Sequence, residues 1–286
     1  MIRRAIISAD DFGLSEAVNE GIERAHRDGI LSTASLMVAG GAAADAVRRA
    51  RRLPGLRVGL HLVLVEGAAV LPAAEIPLLA GETGWFPADQ ARLGVRYFLA
   101  PGARHQLRAE IAAQFRAFAA TGLRLDHANA HKHMHLHPTV GRLLLQEGRG
   151  YGLPAVRVPE EPAAILARLG EHPGAGARLL ALWTRLLRAQ CCRAGVRTNQ
   201  WCFGIAWSGH MRPDRVARLA AALPPGLSEI YFHPAARRDA LFARLMPDYE
   251  PEVELAALLD PGVQGTFAAA GCTLVDWSAE PVSQPR

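Results

Sequence analysis

Short β-rich runs alternate with helix-length segments along most of the 286-residue chain. The eight runs occupy residues 4–9, 33–38, 57–63, 124–130, 155–158, 200–205, 229–233 and 273–276. Strands that are separated by helices pair in parallel, because the crossover helix returns the chain to the same edge of the sheet. The pattern predicts an α/β fold, a TIM-like (β/α) barrel of seven or eight parallel strands, with a doubly wound sheet as the competing topology.

Polar residues that suit catalysis stand at or near the ends of four of these runs. They are Asp10 and Asp11, His61, Asn129 with His131, and His233. In parallel α/β folds the carboxyl ends of the strands form one rim, and catalytic groups gather there. Four separate strand ends would then converge on one site, which favours the barrel.

Two segments interrupt the repeat. Residues 66–104 are rich in Gly, Pro and Ala and contain Trp85 and Phe86, which predicts a long loop over the rim. Residues 160–198 are predicted to be a helical insertion in a single domain that spans residues 1–286.

Within that insertion, residues 177–193 have leucines and Trp183 on one face and Arg178, Arg185 and Arg188 on the other. This arrangement is typical of an outer barrel helix packed on the core. It is also typical of an interfacial helix on anionic lipid, so peripheral contact with the inner membrane is the alternative.

The composition restricts the class of protein. Half of the residues are hydrophobic, which is enough for a buried core. The net charge of +5 comes largely from scattered arginines without a pattern of base-stacking aromatics, so we expect no nucleic-acid partner. The cysteines at 191, 192, 202 and 272 form no CxxC pair, which predicts reduced core thiols in a cytoplasmic protein. We expect no signal peptide and no membrane-spanning helix.

The adjacent carboxylates Asp10 and Asp11 can face one site only if the backbone turns there, and Phe12-Gly13 is the predicted turn. Carboxylate and imidazole ligands suit a divalent metal, and a second carboxylate can act as base for its water. The alternative is that an aspartate caps the helix that begins near Ser15.

Histidines supply the remaining candidates. Five of the eleven lie between 127 and 137, and the period of a strand places His131 on one face with Asn129 behind it as its hydrogen-bond partner. His61 lies in an apolar strand, and His233 precedes a proline, where it could be a general acid or an oxyanion stabiliser. The alternatives are a satisfied core histidine at 61, a solvated His-rich loop near 131 and a turn cap at 233.

Four blocks of sequence, in order, resemble the YdjC-like carbohydrate deacetylases over nearly the whole chain. They are Ser8-Ala9-Asp10-Asp11-Phe12-Gly13-Leu14-Ser15, Gly59-Leu60-His61-Leu62, Asn129-Ala130-His131-Lys132-His133-Met134-His135 and Phe232-His233-Pro234. The resemblance implies a metal-dependent N-deacetylase on a TIM-like barrel that acts on N-acetylated amino sugars. It implies one divalent ion, Zn or Mg, on Asp11, His61 and His131, with Asp10 as the catalytic base and His233 as a further catalytic residue.

The third block departs from relatives that act on chitooligosaccharides, which commonly read Asp-Ser-His where this chain has Asn129-Ala130-His131. That variant, with the Arg-rich insertion, is similar to the hopanoid biosynthesis-associated deacetylases of the HpnK type. The resemblance implies an N-acetylglucosaminyl hopanoid glycolipid as substrate. A deacetylase of soluble oligosaccharides, a phosphoesterase and a metal-binding module without turnover stay open, as does the oligomeric state, a homodimer being one option.

Overall fold

The structure is a computed structural model that describes residues 2–172 and 175–282, without the side chains of residues 175–179. The strands are β1 (Arg3–Phe12), β2 (Thr33–Leu36), β3 (Arg57–Leu62), β4 (Leu125–Ala130), β5 (Ala155–Val156), β6 (Arg197–Thr198), β7 (Trp201–Phe203), β8 (Gly226–Phe232) and β9 (Cys272–Leu274). The helices are α1 (Glu16–Arg27), α2 (Ala43–Arg52), α3 (Gln90–Leu99), α4 (Pro101–Ala120), α5 (Pro138–Gly148), α6 (Ala163–Arg168), α7 (Ala175–Ala194), α8 (Pro213–Ala222), α9 (Ala240–Leu245), α10 (Pro251–Leu259) and α11 (Pro261–Ala269). Short 3-10 helices follow at His131–Leu136 and Arg149–Tyr151.

The strands described pair only in parallel, in the order β6-β5-β4-β3-β2-β1-β8-β7, with β9 beside the start of β1. β6 and β7 stand at the two ends of this order, yet only Asn199 and Gln200 separate them along the chain. The sheet therefore curls until its ends meet in consecutive segments. This confirms the predicted TIM-like barrel.

The inside of the barrel is polar. Six fully buried polar residues there are Ser8, Ser35, His127, Asn129, Arg157 and Glu229. Arg157 follows β5 and bonds to residues of β1 and β8, although neither strand is a neighbour of β5 in the sheet. Such contacts run across the barrel, so this network lies directly beneath the rim.

Each predicted β-rich run overlaps a strand, whereas β6 was not predicted. The prediction of one loop over 66–104 is wrong, since this segment contains α3 and the start of α4. Asp89 caps α3 by accepting a hydrogen bond from the backbone N–H of Arg92, and Leu93 and Tyr97 bury one side of the helix.

The insertion at 160–198 is largely helical, as α6 and α7. Two residues of the predicted faces of this helix, Leu179 on the apolar face and Arg178 on the basic one, have side chains outside the described residues. Leu187 is buried, and Leu180 and Trp183 pack against the core, so the apolar face of α7 points at the body of the protein. No helix in the described ranges is long and apolar enough to cross a bilayer.

The cysteines carry free thiols, but the prediction of four core thiols is wrong at one position. Cys191, Cys202 and Cys272 are buried, whereas Cys192 is exposed. Cys192 follows Cys191 directly on α7, and successive helical positions point about 100° apart, so one faces the core and the next faces solvent.

Candidate active site

The two adjacent aspartates reach one site because the backbone reverses between them. Asp11 has φ of 62°, in the left-handed region that residues other than glycine seldom adopt. The β1–β2 register shifts between Ala9 and Phe12, which marks a bulge at the aspartates. The turn therefore lies at Asp11 itself, one residue before the predicted one. Neither aspartate caps α1, because Ser15 does so.

Three of the predicted residues come together at the rim. Asp11 Oδ1 lies 3.3 Å from His61 Nε2 and 3.2 Å from His131 Nδ1. One ligand atom from each side chain can be chosen so that all lie within 4.8 Å of one another. Asp11 lies on β1, His61 on β3 and His131 directly after β4. His131 is therefore not part of the strand, as its predicted strand period implied, because β4 ends at Ala130.

The cluster fits a divalent cation. Both carboxylate oxygens of Asp11 and Nε2 of His61 are buried without a hydrogen-bond partner in the part of the chain described. Buried polar atoms are almost always paired, so such unpaired ligand atoms facing one another indicate an absent partner. The carboxylates of Asp10, Asp11 and Glu229 are all buried. Arg157 pairs with Asp10 and Glu229, whereas Asp11 lies against His61 and His131, and a cation held there would offset its charge.

Asn129 organises the cluster from behind. Its Oδ1 lies 2.7 Å from His61 Nδ1, and because an amide oxygen only accepts, Nδ1 carries the proton and Nε2 offers its lone pair towards Asp11. Its Nδ2 donates to Asp10 Oδ1 at 3.1 Å. The prediction that Asn129 supports His131 is therefore wrong, since its side-chain partners are His61, Asp10 and Ser35.

Arg157 is the residue that the sequence reasoning missed. It is fully buried, donates to both carboxylate oxygens of Asp10 and to Glu229 Oε1, and lies over the Tyr231 ring at 4.6 Å. Burial alone would raise the pKa of Asp10, but the charges of Arg157 and His61 outweigh it and hold that pKa well below its usual range. The available signal was a charged residue inside the apolar run 155–158.

Three other histidines between residues 127 and 137 form hydrogen bonds within the barrel. His127 bonds to Ser35 Oγ at 3.0 Å, and His133 Nε2 lies 3.2 Å from Tyr231 Oη. His135 Nε2 lies 2.9 Å from the Arg157 carbonyl oxygen, and burial with the Arg157 charge lowers the pKa of His135 to about 3. His135 is therefore neutral, donates to this carbonyl and positions Arg157. The alternative of a solvated His-rich loop is wrong.

His233 directly follows β8, which pairs with β1 on the side away from β3 and His61. Its backbone N–H donates to Glu254, its ring contacts those of Tyr231 and Tyr249, and its Nδ1 is buried without a partner among the described residues. Burial lowers the pKa of His233 from its ordinary value despite the nearby Asp11 and Asp10. Together with Asp10, His61 and His131, it lines an open cavity of about 400 Å³. The structure thus brings four of the five predicted residues to one cavity, and the fifth, Asp11, contacts two of them, His61 and His131.

Comparison with known proteins found a match to a family and a match to a fold. A family model described as YdjC-like protein matches residues 4–269. A solved structure from Enterococcus faecalis V583, whose name suggests cellobiose-phosphate cleavage, superposes with a TM-score of 0.77 at 22% identity and covers 97% of this chain and 98% of that chain. This likeness shows that the two chains share a fold.

Curated relatives match a shorter region. The carbohydrate deacetylase of Geobacillus stearothermophilus is 39% identical over 155 residues, which are 54% of this chain and 59% of the relative. The chitooligosaccharide deacetylase of Serratia marcescens is 32% identical over 170 residues, which are 57% of this chain and 62% of the relative. The chain thus spans about three fifths of the length of the curated relatives that it matches.

Proposed function

Because the chain belongs to the YdjC-like family, we propose that it is a metal-dependent N-deacetylase, which removes the acetyl group from an N-acetylated amino sugar. The observation that carries the proposal is the grouping of Asp11, His61 and His131, with unpaired ligand atoms on Asp11 and His61, beside the ionised carboxylate of Asp10. Hydrolysis of a sugar amide requires metal ligands, a base and an open cavity, and all three lie at the carboxyl ends of the strands.

A divalent ion held by Asp11, His61 and His131 would polarise the amide carbonyl and make a bound water more acidic. Two histidines and one carboxylate suit zinc by ligand type, and magnesium is the alternative. Asp10 stays ionised because of Arg157, so one of its oxygens can accept the proton of the attacking water.

His233 is suited to act on the oxyanion and the leaving nitrogen, after the attack of water. Its Nδ1 is buried without a hydrogen-bond partner among the described residues, and its lowered pKa keeps the ring neutral at neutral pH. From this position the N–H of the neutral ring can donate a hydrogen bond to the developing oxyanion. To act as general acid on the leaving nitrogen, the ring would first have to take up a proton, for which the one that Asp10 removes from water is the available source.

The test is acetate release from N-acetylchitooligosaccharides, with phosphate release from a generic phosphate ester as the comparison that detects a phosphoesterase. We expect Asp11→Ala, His61→Ala and His131→Ala to lose bound metal and activity together. Asp10→Asn should keep the metal and lose about 10²–10⁴-fold in kcat, the range for a removed general base.

His105→Ala is the matched control, because this histidine is exposed on α4. It should keep both metal and turnover. Equal metal loss in Asp10→Asn and the three ligand variants would contradict the separation of base from ligands. Full metal content without acetate release from any amino sugar would support a binding module instead.

A lipid-linked substrate, such as an N-acetylglucosaminyl hopanoid, is the second candidate, and a surface on α3 favours it. Val95, Phe98 and Leu99 are 60%, 53% and 68% exposed on one side of this helix, with Arg92 exposed beside them. α3 begins at Gln90, which lines the active-site cavity. An exposed apolar cluster with basic neighbours beside a catalytic rim suits peripheral contact with anionic lipid.

Vesicles of phosphatidylcholine with and without phosphatidylglycerol test this candidate. We expect salt-sensitive binding to the anionic vesicles, which the double variant Phe98→Ser and Leu99→Ser loses while turnover of a soluble substrate stays unchanged. Leu182→Ser on α7, where the wild-type side chain is 59% exposed, is the matched control. Binding that depends on Leu182 or Arg185 instead would assign the membrane contact to α7. Absence of vesicle binding at low salt would contradict any peripheral membrane contact.

A further inference from the structure

A second, smaller cavity lies next to the Asp11, His61 and His131 cluster. Its volume is about 110 Å³, and His131, Leu245 and Met246 line both this cavity and the larger one. These three side chains therefore stand between the two spaces. The larger cavity has Asp10, Tyr231 and other polar residues in its walls, whereas the smaller one is bordered by the loops after β1, β2 and β3.

The smaller cavity is apolar and its walls are well packed. Apolar side chains from separate elements line it, namely Leu14, Met37, Val63, Trp85, Leu241, Leu245 and Met246. Leu14, Met37 and Val63 are at most 7% exposed, and the guanidinium of Arg244 lies 5.4 Å from the centre of the Trp85 ring on the outside. The one carboxylate in its wall, Glu66, is already paired with Lys132.

Such a space excludes polar groups and accepts hydrocarbon. A hydroxyl or an amide placed there would lose its hydrogen bonds to water without finding a partner. Apolar cavities of about 150 Å³ in proteins take up benzene, so a volume of about 110 Å³ exceeds what a single methyl group fills. The cavity is therefore larger than an acetyl group needs.

We propose that this cavity is an acyl-chain site and that the enzyme hydrolyses N-acyl groups of up to about four carbons, as well as acetyl. The inference rests on the proposed amide hydrolysis. An amide joins an acyl chain to an amine, so a carbonyl held at the metal cluster requires one space for each substituent. The larger polar cavity suits the sugar, and the smaller apolar one lies on the other side of His131.

A length series of N-acylated chitobiose tests the site, with acetyl, propionyl, butyryl and hexanoyl groups. Each buried methylene contributes about 0.8 kcal/mol, so kcat/KM should rise by up to about fourfold per methylene from acetyl to butyryl. It should then fall for hexanoyl, because the longer chain no longer fits. Hydrolysis of acetyl alone, with propionyl and butyryl rejected, would overturn the acyl-chain site and leave the deacetylase proposal intact.

Variants of the walls make the same test independent of substrate chemistry. Gly41→Leu and Ala68→Leu add volume from two sides, and at Gly41 no atom lies within 4 Å of an added Cβ. Both should lower butyryl hydrolysis by at least about tenfold relative to acetyl hydrolysis, because the lost space is worth about two methylenes. Met37→Ala enlarges the cavity and should shift the preference towards hexanoyl.

Gly150→Leu is the matched control, since this glycine also has no atom within 4 Å of an added Cβ and does not line the cavity. It should reproduce the wild-type length profile. An unchanged profile in Gly41→Leu, Ala68→Leu and Met37→Ala would overturn the acyl-chain site alone. Absence of hydrolysis at every chain length in the wild-type protein would overturn the proposed function, and the site with it.

Discussion

Asn129 orients a proposed metal ligand, His61, without belonging to the proposed ligand set itself. Its Oδ1 accepts from His61 Nδ1 at 2.7 Å and so selects the tautomer that presents Nε2 to the cluster. We expect Asn129→Ala to lower metal affinity by about 10- to 100-fold, the usual cost of losing a partner that orients a ligand histidine. Titration with zinc in the presence of a competing chelator measures this.

Loss of Asn129 also removes a donor to Asp10 Oδ1, so turnover of the fully loaded variant should fall as well. Ser35→Ala is the control, because Ser35 bonds to Asn129 Nδ2 and touches neither His61 nor Asp10 in the hydrogen bonds described. Wild-type zinc affinity in Asn129→Ala would show that the packing of the His61 ring is sufficient to orient it.

The pH dependence of activity follows from the charges around Asp10 and His61. Burial lowers the pKa of His61, but the charges of Asp10 and Asp11 outweigh this and raise it above its ordinary value. A protonated imidazole cannot bind metal, so bound metal and activity should be lost together as pH falls through the His61 pKa. Asp10 does not contribute to this loss, because its pKa lies far lower.

Arg157→Gln should change this behaviour. Without the guanidinium, burial raises the pKa of Asp10, and the acid-side decline of kcat should move to higher pH in a variant kept saturated with metal. Profiles of kcat between about pH 5 and 9 would show the shift relative to the ordinary carboxyl and imidazole values. Superimposable wild-type and variant profiles would mean that Arg157 does not control the protonation of Asp10.

At the scale of elements, α4 holds the wall of the small cavity through two buried side chains. Glu110 accepts from the backbone N–H groups of Val70 and Leu71, both at 2.9 Å. Gln114, one turn further along, bonds to both backbone groups of Val63 at 2.9 and 2.7 Å. The segment 66–89 between β3 and α3 is therefore attached to α4 by hydrogen bonds to its backbone.

Glu110→Ala should lower the free energy of unfolding by about 2–4 kcal/mol, because two partly buried N–H groups lose their acceptor. It should also raise KM for butyryl substrates more than for acetyl ones, because Trp85 is carried by the released segment. Urea denaturation and steady-state kinetics measure the two effects. Glu147→Ala is the control, since its partner Arg108 is 63% exposed and such pairs contribute little.

For the whole molecule, closure of the barrel depends on Asn199, between β6 and β7. This fully buried amide accepts from the N–H of Val158 at 2.7 Å and donates to the carbonyls of Val158 and Trp201 at 2.9 and 2.8 Å. These hydrogen bonds take the place of strand pairing between β6 and β7, which do not pair with each other. Arg157, which holds Asp10, is the neighbour of Val158 along the chain.

Asn199→Ala should therefore cost about 3 kcal/mol in the free energy of unfolding, because it leaves buried backbone groups unpaired, and should reduce kcat through Arg157. Gln200→Ala is the matched control at the next position, where one exposed hydrogen bond to Leu227 is lost. Equal destabilisation by the two substitutions would show that Asn199 has no special part in closing the barrel.

The sequence by itself determined the fold class and the candidate residues at the rim. Strand patterns are local, and the residues at the carboxyl ends of parallel strands must share one edge whatever the packing, so Asp11, His61 and His131 could be placed together. The same logic located Asp10 and His233. What the sequence could establish depends only on periodicity and chain order.

Only the tertiary structure decided which side chains meet between adjacent strands and across the barrel. Asn129 turned out to face His61, and Arg157 reached Asp10 across the interior, because both contacts join strands far apart in sequence. The left-handed backbone at Asp11 and the small cavity beside His131 likewise depend on how several loops pack together. Such contacts are set by distances between elements, and no local pattern in a single sequence encodes them.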